Sequence, residues 1–189
     1  MLFRSTVTPQ GALRFETAGQ CTIVADQAGD QTVTAAPAVS QSFTVTPIAP
    51  DAPQIGEVTG GDGQAVVSFA APRNTGGAAV NLYRVTVSPG GIVVTGKASP
   101  LVVTGLSNGT AYSFRVAAIT EAGAGAESDA SAPVTPMASQ TILFDNPGPQ
   151  SFGSAPVVRA VASSGLSVGF SSTTPEVCAV TPQGALRFE

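Results

Sequence analysis

Along this chain apolar side chains return at every second position in short runs, and glycine, proline and small polar residues separate the runs. Leu13 and Phe15 alternate with Arg14 and Glu16. Cys21, Ile23 and Ala25 share one parity, and so do Phe43 and Val45, Val67 and Phe69, and Tyr83, Val85 and Val87. A period of two is that of a strand with one buried face. No stretch keeps a 3.6-residue pattern long enough for a helix, and 21 glycines and 15 prolines supply turns. The pattern predicts an all-β protein. Its 189 residues suffice for one large domain or two small ones.

One strand pattern occurs twice, letter for letter. TPQGALRFE occupies residues 8–16 and again residues 181–189, an offset of 181 − 8 = 173. Leu186 and Phe188 alternate there with Arg187 and Glu189, as Leu13 and Phe15 do in the first copy. An identical nonapeptide in so short a chain marks a repeating protein, seen once with a short overlap. Residues 1–46 then read as the later half of a β-sandwich. Residues 47–136 read as a complete unit with a proline-rich leader, and residues 137–189 as a linker and the earlier half of the first sandwich. Neither half is expected to be stable alone, since each has half a core and an unpaired strand edge. The four residues Leu13, Phe15, Leu186 and Phe188 are the expected assembly strands.

The offset also changes the reading of the cysteines. In the next repeat Cys21 falls at 21 + 173 = 194, sixteen residues after Cys178, with a turn, a strand and a turn between. Cysteines on neighbouring strands can reach disulfide geometry. Two readings stand: a Cys21–Cys178 disulfide, or two separate buried thiols. The disulfide is the expected one. It would contribute about 3 kcal/mol through chain entropy and would imply an oxidising compartment.

Specific residues carry a family likeness in the middle of the chain. AVVSFAAP sets Val67 and Phe69 inward, and NTGGAAVNLYRVTVSP sets Tyr83, Val85 and Val87 on one face. In LVVTGLSNGTAYSFRVAAITEAGAGAES, residues Leu106, Gly109, Tyr112, Phe114 and Val116 follow tyrosine-corner spacing. Residues 52–136 thus resemble a fibronectin type III domain, with Phe69 where that family usually buries a tryptophan. The resemblance implies that Tyr112 hydrogen-bonds back to the preceding backbone and that Leu106, Phe114, Phe69 and Tyr83 lie in the core. There is no RGD tripeptide, so integrin binding is not carried over. SSGLSVGFSSTTPEVCAV (163–180) and AGQCTIVADQAGD (18–30) resemble the earlier and later parts of an immunoglobulin-like repeat found in tandem in bacterial surface proteins.

Composition narrows the chemistry. Twelve acids stand against seven scattered arginines and Lys97, for a net charge of −4, so nothing is built to neutralise nucleic-acid phosphates. No apolar run approaches the roughly 20 residues of a membrane span, and MLFRS lacks the apolar region of a signal peptide. The absence of histidine removes the commonest general base and metal ligand. A serine nucleophile would have only Lys97 or a carboxylate for a base. GGDGQ and SPGGIVVTG read as turns, because neither joins a strand to a helix. Glu121, Glu127 and Asp129 are explained by the type III pattern rather than as a glycosidic pair. Asp26 and Asp30 read as solvated turn residues, lacking the ligand density of a calcium loop. Lys97 in TGKASP lies at a polar turn, which argues against an intramolecular isopeptide bond. No catalysis, cofactor or metal is expected.

The resulting expectation is a structural repeat of an extracellular bacterial surface stalk or fibre. Its partners are copies of itself, joined head to tail through the split domain, and closure within one chain is the rival arrangement. The alternative is an adhesive or carbohydrate-binding accessory module with a host or glycan ligand. The chain has no tryptophan for a sugar platform, and Phe152 in PGPQSFGSAP is expected to plug a sandwich end rather than to meet a ligand.

Overall fold

The structure, a computed structural model, describes residues 5–7 and 11–188. It contains strands and no helix among the described residues, and it divides into two compact units, residues 1–137 and 138–189.

The first unit begins with two hairpins. Strands β1 (Ser5–Val7) and β2 (Leu13–Phe15) pair antiparallel, with Ser5 opposite Phe15 and Val7 opposite Leu13. Strands β3 (Gly19–Gln27) and β4 (Ala36–Val45) pair with Cys21 opposite Phe43 and Ala25 opposite Val39. That register puts Cys21, Ile23, Ala25, Val39 and Phe43 on one face. The opposite face is polar at Thr22 and Ser42, whose hydroxyls hydrogen-bond at 2.7 Å. The Asp30 carboxylate accepts hydrogen bonds from the Thr32 and Val33 amides and the Thr32 hydroxyl, and so closes a turn. These bonds, led by the Thr32 amide, hold its carboxyl below the ordinary range. Asp30 is therefore a turn residue.

The sandwich follows. Strands β5 (Gln54–Gly61), β6 (Gln64–Ala70) and β9 (Leu101–Thr104) make one sheet, in the order β5–β6–β9. Strands β7 (Leu82–Ser88), β8 (Val93–Gly96), β10 (Ser113–Thr120) and β11 (Gly123–Glu127) make the other, in the order β11–β10–β7–β8. Alternate residues of the central strands point inward, as the sequence pattern requires: Val67, Val85, Val103, Phe114 and Val116 have no exposed surface. Phe69 and Tyr83 stack across the core with ring centroids 4.7 Å apart. Past β11, two serine hydroxyls replace missing ladder partners. Ser128 accepts from the Val116 amide at 3.0 Å and Ser131 from the Phe114 amide at 3.1 Å. The two glycine-rich stretches are turns between β5 and β6 and between β7 and β8.

The proline-rich segment before β5 is held, not merely stiff. The Ile48 amide donates to the Gly76 carbonyl (3.0 Å), the Asp51 amide to the Asn74 carbonyl (2.9 Å), and Pro50 is buried. Gly76 sits at φ +72°, where a Cβ would strike the Ile48 carbonyl, and a Cβ on Gly125 would strike that of Pro50. Both glycines leave room for the linker backbone.

The second unit is sparser. Strands β12 (Ile142–Phe144) and β13 (Ala160–Ala162) pair, and so do β14 (Cys178–Val180) and β15 (Leu186–Phe188). Residues 156–158 lie along the second hairpin, through a bridge of Val157 with Ala185 and bonds from Val158 N to Gly184 O (2.9 Å) and Leu186 N to Pro156 O (3.1 Å). Val158 and Ala162 are the buried larger apolar residues of this unit.

Candidate assembly interface

Both units leave apolar side chains in solvent. In the first unit Phe43, Phe15 and Val39 are 39, 47 and 58% exposed, although the Phe15 and Phe43 rings meet edge to face at 5.9 Å. In the second, Phe144 is 56% exposed while its ring meets Phe170 at the same 5.9 Å. Phe144, Val158, Phe170, Cys178, Val180 and Leu186 line an apolar trough of about 280 Å³ there. Aromatic pairs of this kind normally sit inside a sandwich. Here Phe15, Phe43 and Phe144 keep 47, 39 and 56% of their surface exposed.

The strands around the duplicated segment pair antiparallel in both places. The identity extends one residue further than the nonapeptide, to Val7 and Val180. The register is also the same: Val7 opposite Leu13 corresponds to Val180 opposite Leu186, and Ser5 opposite Phe15 to Cys178 opposite Phe188. The two surroundings differ. Gly184 is buried, and a Cβ on it would strike the Val158 carbonyl and approach Phe170 at 3.2 Å. Its counterpart Gly11 has the same backbone form, φ +81° against +87°, yet a Cβ there would meet nothing within 4 Å. Leu186 is half-buried in the trough, whereas Leu13 is 40% exposed. The C-terminal copy thus touches Val158 and Phe170, and the N-terminal copy touches Phe43.

Cys21 is buried in the first unit and Cys178 half-buried in the second, where Ser172 Oγ and Thr174 Oγ1 lie 3.7 and 4.0 Å from its sulfur. No disulfide forms among the described residues. Tyr112, Leu106 and Phe114 lie in the sandwich core, and the Ser107 amide donates to the Tyr112 hydroxyl at 3.1 Å. That bond holds the phenol below its ordinary value. Glu127 accepts from the Thr86 hydroxyl at 2.9 Å and faces Arg84 at 3.9 Å, while Glu121, Asp129 and Lys97 are exposed. No group of three metal-ligating side chains occurs among the described residues. Phe152 departs from expectation: it is 83% exposed and plugs nothing in its unit. The grip of residues 74–77 on the linker was the part missed. Its only trace in the sequence is the paired glycine of NTGG.

Comparison with known proteins accounts for the middle of the chain. Residues 49–134 match the family model described as "Fibronectin type III domain", so the chain carries a type III domain. No curated protein matches the chain. Among solved structures it is similar to a human FNIII domain, with 26% identity over 58% of this chain and 91% of that one, at a TM-score of 0.43. It is also similar to domains d3–d4 of the rat CD45 extracellular region, with 18% identity over 65% of this chain and 66% of that one, at 0.49. The kinase region of twitchin from C. elegans matches at 22% identity and a TM-score of 0.44, over 49% of this chain, which spans only 18% of that one.

Proposed function

We propose that this chain is a structural repeat of an extracellular bacterial surface stalk or fibre. The type III domain acts as a spacer, and residues 140–189 of one copy complete a sandwich with residues 5–46 of the next. The observation that carries this reading is the pair of identical hairpins with complementary surroundings. Gly184 has its neighbours from the earlier half; Gly11, in the same backbone form, has none within 4 Å of a Cβ built on it. Burying Phe43, Val39 and Phe144 against one another would remove exposed apolar surface from water at about 25 cal/mol per Å². Parts of roughly 45 residues are otherwise too small to hold a core. A contact of this kind joins unlike surfaces and does not close, so it propagates into filaments. The held linker suits such a spacer, since it passes little bending to the next module.

Light scattering on the 189-residue chain tests the reading. Growth into long particles as concentration rises is the expected result. A compact monomer at every concentration would rule out completion between copies. The adhesive alternative draws on one observation, the exposure of Phe152. Saturable glycan or matrix binding that Phe152→Ala abolishes would favour it.

A further inference from the structure

Asparagine is a thermolabile residue, and most so before glycine, where no side chain shields the following nitrogen from the carboxamide. Only one of the four asparagines has that neighbour. Asn74 precedes Thr75, Asn81 precedes Leu82, and Asn146 precedes Pro147, which has no N–H; Asn108 precedes Gly109. We infer that Asn108 is a deamidation site that the type III domain holds shut, through a clasp between the β5–β6 turn and the loop before Tyr112.

The chemistry sets what must be held. The Gly109 nitrogen attacks Cγ of Asn108. The N–Cγ bond forms, the Cγ–Nδ2 bond breaks, and ammonia leaves with the proton that the glycine amide gives up. Water then opens the succinimide at either carbonyl, giving aspartate or isoaspartate, with no oxidation or reduction at any step. The attack needs a Gly109 N–H that can be deprotonated and a carboxamide free to turn over that nitrogen.

A hydrogen bond blocks each requirement. The Gly109 amide donates to the carbonyl of the buried Pro136 at 2.8 Å. The Asn108 carboxamide is held at both ends: its Oδ1 accepts from the Gly63 amide at 2.9 Å, and its Nδ2 donates to the Asp62 carboxylate at 2.7 Å. The Gly63 carbonyl in turn accepts from the Leu106 amide at 2.9 Å, which ties the turn to the loop a third time. An ionised acceptor makes the Nδ2 bond stronger than a neutral pair would be. Asp62 and Gly63 stand 46 and 45 residues from Asn108 in the sequence, so only the folded domain brings them together. Asn108 itself is exposed, and water reaches it. Hydrogen bonding protects it, not burial.

Once opened, the clasp does not re-form. Ionised aspartate at 108 has no N–H to offer Asp62 and sets a second carboxylate against the first. Isoaspartate adds a methylene to the main chain between Ser107, whose amide holds the Tyr112 hydroxyl, and Tyr112 itself. Either product leaves the β5–β6 turn less firmly tied.

Peptide mapping by mass spectrometry, after incubating the full chain in mildly alkaline buffer with and without urea, tests the site. In urea Asn108 should convert ahead of Asn74 and Asn81, and in the folded chain roughly tenfold more slowly or beyond. Asp62→Ala removes the ionised acceptor and should raise the folded-state rate at Asn108 by about tenfold. Equal rates in folded and denatured chains would overturn the protection. Faster conversion of Asn74 or Asn81 in urea would overturn the choice of residue. An Asp62→Ala variant that melts like the wild type and converts no faster would overturn the clasp. Should that variant unfold, exchange of the Gly109 amide in the wild type decides: protection supports the clasp, and exchange at the rate of an open loop overturns it.

Discussion

At the scale of single residues, the type III core shows how much an alternating pattern settles. The inward positions of β6, β7 and β10 were readable because every second residue is Val, Phe or Tyr, and a one-residue slip would expose them all. Phe69 fills the place of a tryptophan by leaning on Tyr83, a contact the pattern alone does not specify. Tyr112 is tied at both ends: its ring is in the core and its hydroxyl accepts from Ser107. Tyr112→Phe removes only the hydrogen bond and should lower the melting temperature of the domain by about 4–8 °C. Tyr112→Ala also leaves a cavity and should lower it by roughly 15 °C or more. Calorimetry on the purified variants gives both values. An unchanged melting curve for the alanine variant would mean that the hydroxyl bond and the buried ring contribute nothing.

At the scale of elements, strands were legible and their tertiary contacts were not. Hairpin positions follow from alternation and turn residues, which are local signals. The grip on the linker depends on carbonyls that face glycines far along the chain, and no local pattern announces it. Proline content predicts a stiff connector, but the hydrogen bonds to Asn74 and Gly76 are what fix it. Gly76→Ala tests this directly. A Cβ at φ +72° is strained by itself, and here it also strikes the Ile48 carbonyl. The linker must then leave residues 74–77, giving up two backbone hydrogen bonds worth about 1 kcal/mol each. Amide exchange at Ile48 and Asp51 should quicken by roughly tenfold or more, with little change in the β6 and β10 amides. Unaltered exchange at those two amides would mean that the linker holds its place without the loop.

At the scale of the whole molecule, the repeat in the sequence is the ground for the proposal that two parts of the chain complete one sandwich. The expected pairing of the cysteines depends on that proposed sandwich. By the 173-residue offset Cys178 takes the position of Ser5, which lies opposite Phe15. The Phe15 ring rests on Phe43, and Phe43 lies opposite Cys21. The proposed head-to-tail sandwich would bring Cys178 of one copy and Cys21 of the next into one domain, where cysteines on neighbouring strands can form a disulfide. Oxidation removes two protons and two electrons from the thiols, and a small-molecule disulfide such as oxidised glutathione takes them up by exchange. The bond would then lie between copies, so only assembled chains should carry it. Thiol labelling after denaturation without reductant should find no reactive cysteine in the polymer fraction and two per chain in the monomer fraction. On a non-reducing gel the polymer should run as a ladder that reductant collapses, and Cys178→Ser should remove the ladder while leaving non-covalent association measurable. Two labelled thiols per chain in the polymer would show that the cysteines are buried separately and that apolar burial alone holds the copies together.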